Sequence, residues 1–159
     1  MADTVSFDEA FSELFGVAYR VSYRILGSRP EAEDVAQEAL ARASLAWPRV
    51  ARYANAWVAK VAADKAIDAW RRARRRPHSV PDPPVDRLAT VEQRRELVVA
   101  LRKISRRQRE VVVMRYLADF SELETAAALG CSVGTVKRHG ARGLAALRRH
   151  LRPSAIGGT

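Results

Sequence analysis

The sequence has little of what most catalytic or metal sites require. It contains a single cysteine, Cys131, and three scattered histidines (His78, His139 and His150), so neither an internal disulfide nor a Cys/His zinc cluster is expected. No Gly-rich phosphate loop is present, and no nucleophile occurs in a motif with a partner base. We therefore expect no catalytic site, no metal and no cofactor.

Long hydrophobic runs are also missing. No apolar stretch approaches the roughly 20 residues that a membrane-spanning helix needs, and the first residues, MADTVSFDEAF, carry acids where a signal peptide carries Lys or Arg. Because 48% of the residues are hydrophobic, the chain can still bury a core. The sequence predicts a folded cytoplasmic protein without membrane association, which a lone cysteine fits.

The net charge of +10 is unevenly distributed. Residues 1–45 carry four basic residues against eight acids, whereas residues 46–76 carry nine against two and residues 101–159 carry twelve against four. An acidic start followed by two basic blocks favours two contacts with a polyanion and a different partner for the front end. The alternative is that arginines merely solvate the helices.

Helix start signals recur in one form. A Ser or Thr followed three residues later by Glu or Gln forms a capping box, in which side chains satisfy free amides of the first turn. Five matches precede apolar runs at helical spacing: Ser6/Glu9, Ser28/Glu31, Thr90/Gln93, Ser105/Gln108 and Ser121/Glu124. The pattern predicts helices near residues 7–26, 29–46, 55–76, 91–103, 106–117, 122–129 and 133–149, with the second ending before Pro48.

Four prolines, Pro77, Pro81, Pro83 and Pro84, interrupt the helical pattern between residues 77 and 89. Proline removes a helical hydrogen bond and stiffens the chain, so this segment is predicted to be a semi-rigid linker. The expected fold class is all-α, with two small helical domains, residues 1–76 and 90–152, joined by this Pro-rich linker at 77–89. Residues 153–159 are expected to form a flexible tail.

Residues 121–151, SELETAAALGCSVGTVKRHGARGLAALRRHL, have the layout of a helix-turn-helix unit. On the second helix, apolar and glycine positions share one side, while basic and small polar positions occupy the other side and its flanks. Such a surface suits the major groove, where Arg pairs with guanine and Ser or Thr with phosphate or base. The predicted DNA-binding residues are Ser132, Thr135, Lys137, Arg138, His139 and Arg142. A helical hairpin with a solvated basic face is the alternative.

Residues 97–149 resemble region 4 of the sigma-70 family of transcription factors. The resemblance is carried by RQRE at 107–110, MRY at 114–116 and GTVK at 134–137. In that family the module reads the minus-thirty-five promoter element, which implies that role for the residues of the second helix. Ser105 and Phe120 depart from the usual Pro and Leu, although Ser105 can still cap a helix.

Residues 14–47 are similar to sigma region 2, whose hallmark is an acidic helix filled here by Glu31, Ala32, Glu33, Asp34, Gln37 and Glu38. In the family its polar face docks on the clamp helices of the largest polymerase subunit. The resemblance implies core polymerase-binding residues Glu31, Asp34, Gln37 and Glu38. A solvated acidic helix start, favoured by the helix dipole, is the alternative, but it does not explain Glu38, two turns in.

Residues 55–76 resemble the segment that melts and captures the minus-ten element. Unpaired bases stack on aromatic rings while arginines hold the phosphates. The resemblance implies minus-ten contacts by Trp57, Lys60, Asp64, Trp70, Arg71, Arg72, Arg74 and Arg75. Ala63 and Asp64 replace a common Arg and Asn, which is expected to alter promoter preference. For Trp57, packing in the core is an equal alternative.

Both modules occur in the family's order across a linker, so the chain resembles the extracytoplasmic-function sigma factors. The pattern at 121–127 is typical of an actinobacterial, SigE-like group. This implies a protein that binds core RNA polymerase and promoter DNA, is monomeric when free, and is a candidate partner of an anti-sigma factor. Two alternatives stay open: a freestanding helix-turn-helix regulator, and a polymerase-binding adaptor without DNA specificity.

Overall fold

The computed structural model describes residues 4–73 and 91–151. In these ranges the chain forms seven α-helices: α1 Phe7–Leu26, α2 Arg29–Val50, α3 Ala54–Ala73, α4 Val91–Lys103, α5 Arg106–Val112, α6 Glu122–Leu129 and α7 Val133–His150. A 3-10 turn, Ala51–Tyr53, joins α2 to α3, and a π-helical turn, Val113–Leu117, follows α5. The predicted all-α class is confirmed. The linker and tail predicted at 77–89 and 153–159 lie outside the described residues.

Capping boxes start three of the helices, as predicted. The side chains of Ser6, Ser105 and Ser121 each accept a hydrogen bond from the third helical amide, and the side-chain oxygen at that third position accepts one from the backbone N–H of the cap residue. Ser28 also begins a helix, α2, but its side chain makes no capping bond. Pro30 at the second helical position has no N–H, so one of the amides that Ser28 would satisfy is missing. Thr90 lies outside the described residues.

Helix α2 passes through Pro48 and ends at Val50, four residues beyond its predicted end. Proline removes a single backbone hydrogen bond, and this loss falls in the last turn of the helix. Ala46 and Val50 on either side are 8% and 2% exposed, respectively. Continuing the helix therefore buries apolar surface that an earlier end would leave in water.

The predicted helix over 106–117 widens into the π turn after α5. Its carbonyl groups are partly released from the helix, and Arg24 of α1 donates to the oxygens of Tyr116 (3.1 Å) and Leu117 (2.7 Å). Asp119, which follows, has a φ of 60° and accepts from the Arg24 guanidinium at 3.1 Å. No pattern in the sequence indicated this π turn. Through Arg24, it joins α1 to the helices that follow residue 90.

Two groups of helices, α1–α3 (the front module) and α4–α7 (the rear module), share one apolar cluster. Helix α1 packs on α4 and the π turn, and α3 packs on the π turn and α6. Leu14 and Val21 of the front module and Val98 and Leu101 of the rear module are at most 1% exposed and belong to this cluster. In the described ranges, no helix is long and apolar enough to cross a membrane.

Candidate nucleic-acid and polymerase interfaces

The start of α7 is fixed by the two hydroxyl residues that precede and open it. Ser132 Oγ accepts from the Thr135 amide at 3.1 Å and lies 2.9 Å from Thr135 Oγ1. Val136, 1% exposed, anchors the same turn in a small cluster with Val111 and Ala126. The cap and this buried valine set the position of α7 against α5 and α6, so the helix presents its outer side as a rigid surface.

The outer side of α7 carries two of the predicted arginines. With 100° per residue, Arg138 and Arg142 lie opposite the buried positions of the helix, and both are exposed. Lys137 is also exposed and lies 3.8 Å from Glu122 of α6. Arg138 also donates to Thr135 Oγ1 at 3.4 Å. A pair of exposed guanidinium groups one turn apart is suited to a major groove.

His139 differs from the other predicted DNA-binding residues. It lies about 60° from the buried side of α7, it is partly buried, and its Nδ1 has no hydrogen-bond partner in the described part of the chain. The structure therefore brings Lys137, Arg138 and Arg142 to the surface and turns His139 toward the helix packing.

The predicted polymerase-binding residues lie along one side of α2. Asp34 and Gln37 are exposed, whereas Glu31 is partly buried; burial raises the pKa of Glu31, and the neighbouring charge of Asp34 adds to the effect. Glu38 bonds to Lys65 of α3 at 2.8 Å and lies 3.5 Å from Arg42. The hydrogen bond from Lys65 outweighs the smaller effect of burial, so the pKa of Glu38 is lowered.

Leu45 extends this surface and was missed by sequence reasoning. At 100° per residue it projects within about 20° of Asp34, three turns further along α2. Its side chain is 88% exposed, which is unusual for a leucine in a helix with a buried side. The signal in the sequence was the spacing of positions 34, 38, 41 and 45, which places an apolar group on the acidic side.

The predicted minus-ten residues on α3 do not form one open surface. Trp57 and Trp70 are partly buried against the apolar cluster, while Arg71 and Arg72 are exposed. Arg74 and Arg75 lie outside the described residues. Asp64 is exposed at the edge of the contact between α3 and α5, where partial desolvation raises its pKa despite the opposing charges of Lys60 and Arg109.

Lys60 of α3 forms an ion pair with the rear module. Its ammonium lies 2.8 Å from Glu110 Oε1, and Glu110 is also bonded to Arg106 (3.2 Å) and Arg107 (3.1 Å). The Glu110 side chain is 9% exposed. Burial raises the pKa of Glu110, but the hydrogen bonds and charges of its three cationic partners together leave it below the ordinary value. Sequence reasoning assigned Lys60 to DNA and gave Glu110 no role.

A cleft of about 480 Å³ runs beside this ion pair between the two modules. Trp57 and Tyr53 line it from the front module, and Met114 and Leu129 line it from the rear module. The rear module therefore lies directly over the Trp57 end of α3.

Comparisons with known proteins match both modules. The family model for sigma-70 region 2 matches residues 11–76, and that for sigma-70 region 4 matches residues 94–147. The RNA polymerase sigma-E factor of Streptomyces coelicolor is 32% identical over 157 residues, which cover 95% of this chain and 89% of that protein. The ECF RNA polymerase sigma factor SigL of Mycobacterium tuberculosis is 34% identical over 148 residues, covering 80% and 78%.

Two solved structures share the fold. The sigma factor RpoE from Bartonella quintana, in complex with the anti-sigma factor NepR, has a TM-score of 0.53 at 20% identity and covers 91% of this chain and 95% of its own. CnrH in complex with the cytosolic domain of CnrY has a TM-score of 0.54 at 23% identity, covering 90% and 85%. From the two family models and the curated relatives, the chain belongs to the extracytoplasmic-function group of the sigma-70 family of RNA polymerase sigma factors.

Proposed function

We propose that this sigma factor binds core RNA polymerase through the acidic side of α2, contacts the minus-ten element through α3, and reads the minus-thirty-five element through α7. The single observation that carries the proposal is the exposure of opposite charges on separate modules. The acids Glu33 and Asp34 are exposed on α2 beside the neutral Gln37, while Lys137, Arg138 and Arg142 are exposed on α7. An acidic surface is repelled by DNA phosphates and is complementary to a basic protein surface, which favours a protein partner for α2.

On α3, the proposal assigns phosphate contacts to Arg71 and Arg72 and base stacking to Trp57 and Trp70. Lys60 and Asp64 lie on the same helix, and Ser132, Thr135 and His139 complete the minus-thirty-five set. The protein acts in the cytoplasm, as a monomer when free, and has no catalytic centre of its own. Because RpoE was solved in complex with the anti-sigma factor NepR, an anti-sigma factor is a partner to seek here as well.

Run-off transcription tests the proposal. Purified protein and core polymerase are incubated on a promoter library, together and separately. Discrete transcripts that require both components are the expected result. A freestanding regulator would instead bind a defined operator without polymerase, and an adaptor would bind polymerase without changing which promoters are transcribed. Either outcome contradicts the proposal.

A further inference from the structure

The contact between Lys60 and Glu110 joins the two modules at a residue with a proposed DNA role. Glu110 Oε1 accepts from Lys60 of α3 at 2.8 Å and from Arg106 at 3.2 Å, while Oε2 accepts from Arg107 at 3.1 Å. The second inter-module acid, Asp119, is 56% exposed and pairs with Arg24, on α1. The Lys60–Glu110 contact is therefore the more buried of the two. It involves α3, the helix proposed to bind the minus-ten strand.

The chemistry of the Glu110 site is that of a phosphate site. One anionic group with two oxygens is surrounded by three cationic side chains, which is how Lys and Arg hold a nucleic-acid phosphate. An ammonium group that donates to a buried carboxylate is not available to a DNA phosphate in the same place. The neighbouring Trp57 lines the cleft together with Met114 and Leu129, so the rear module stands beside the ring that is proposed to stack a base.

From this geometry, and resting on the function proposed above, we infer that Glu110 is an internal substitute for a phosphate of the minus-ten strand. In the free protein it occupies Lys60 and holds the rear module over the Trp57 end of α3. Single-stranded DNA binds there only after the modules separate. In the free sigma factor, contacts within the chain therefore hold the two modules together without an anti-sigma protein.

The test compares three charge variants with the wild-type protein. Glu110→Gln keeps the size of the side chain and removes the charge that holds Lys60. Lys60→Gln breaks the same contact from the other module. Asp68→Asn removes one negative charge from an exposed position on α3 that belongs to neither inter-module pair described above, and so controls for the change in net charge alone.

Two measurements are made on each free, full-length protein. The distance between modules is read by spin labels at Ser44→Cys on α2 and Ala145→Cys on α7, both exposed positions, in a Cys131→Ala background. The affinity for DNA is read by fluorescence anisotropy of a short labelled single strand of mixed sequence.

Glu110→Gln is expected to lengthen the label distance and to bind the single strand roughly tenfold more tightly, within the usual range of coupling between two sites. Lys60→Gln is expected to lengthen the distance without tighter binding, because it loses the phosphate ligand as well. Asp68→Asn should leave the distance unchanged and alter affinity by about twofold at most, as expected for one screened charge.

Unchanged distances for Glu110→Gln and Lys60→Gln, or equal gains in affinity for Glu110→Gln and Asp68→Asn, would overturn the inference. Run-off transcription by the wild-type protein separates this failure from that of the proposed function. Core-dependent transcription together with unchanged distances would reject the internal phosphate substitute alone. Absence of transcription would reject the proposed sigma-factor function. The label distances would still report whether Glu110 holds the two modules together.

Discussion

Two glycines on α7 allow a sharp test of how this helix is positioned. Both are buried against α5, three residues apart. A Cβ atom added to Gly143 would lie 2.9 Å from Val112 Cγ2 and 3.4 Å from Gln108 Cβ, whereas one added to Gly140 would lie 3.6 Å from Val111 Cγ1. The first contact is a clash with a stiff β-branched side chain, and the second is ordinary van der Waals contact.

The magnitudes follow from two opposing effects of the same substitution. Alanine is favoured over glycine inside a helix by about 1 kcal/mol, which applies equally at both positions. Overpacking a filled interface costs about 1–3 kcal/mol, which applies only at Gly143. Gly140→Ala is therefore expected to raise the free energy of unfolding by up to about 1 kcal/mol, while Gly143→Ala leaves it unchanged or lowers it by up to about 2 kcal/mol.

Urea denaturation followed by far-ultraviolet circular dichroism measures both variants under one set of conditions. A second readout is promoter binding by the reconstituted holoenzyme, which should weaken for Gly143→Ala because α7 must shift away from α5. Val112→Ala should relieve the clash. It should therefore lower the free energy of unfolding by less in the Gly143→Ala background than in the wild-type protein. Equal stability of Gly140→Ala and Gly143→Ala would refute the packing argument.

Three further predictions concern the proposed interfaces. Asp34→Arg should abolish co-elution with core polymerase without lowering the urea midpoint, because Asp34 is exposed; normal holoenzyme assembly would contradict the assignment of α2. Arg138→Ala should cost about 1–3 kcal/mol on the preferred minus-thirty-five sequence and less on a site already altered at the contacted base, whereas a uniform loss across variants would indicate a phosphate contact. Replacing Arg71 and Arg72 with Ala should flatten the slope of log affinity for single-stranded DNA against log salt by about 1.4, and an unchanged slope would show that these residues only solvate the helix end.

The starts of the helices were predictable because they depend on local chemistry. Ser6, Ser105 and Ser121 form the expected capping boxes, since the cap and its partner are only three residues apart. The buried side of α7 was predictable for the same reason: Val136 and Leu147 recur at helical spacing, and both are buried.

The ends of the helices were less predictable because tertiary packing competes with local preference. The rule that proline ends a helix is overridden at Pro48, where burial of Val50 extends α2 by a turn. The π turn after α5 is similar, because its free carbonyls are satisfied by Arg24, a residue more than ninety positions earlier in the chain. No pattern within either segment indicates such a distant partner.

The surface of α3 shows the same limit at a functional site. Lys60 and Asp64 lie one turn apart and so share a side of α3, but their environment depends on the rear module. Lys60 is bonded to Glu110, fifty residues later, and Asp64 lies in the same contact. Periodicity identifies which side chains share a helix side, whereas the pairing of the two modules is set by three-dimensional packing.

The positions of the acidic residues in the rear module explain why its excess positive charge is available to DNA. Residues 101–159 contain only four acids against twelve basic residues. Glu110 and Asp119 are bonded to the front module, Glu124 caps α6, and Glu122 lies 3.8 Å from Lys137. None of these acids bonds to the arginine pair on the outer side of α7 in the described structure. Because phosphate contacts gain affinity in proportion to the uncompensated cations that reach them, fixing the acids at caps and at the module contact leaves this arginine pair for the promoter.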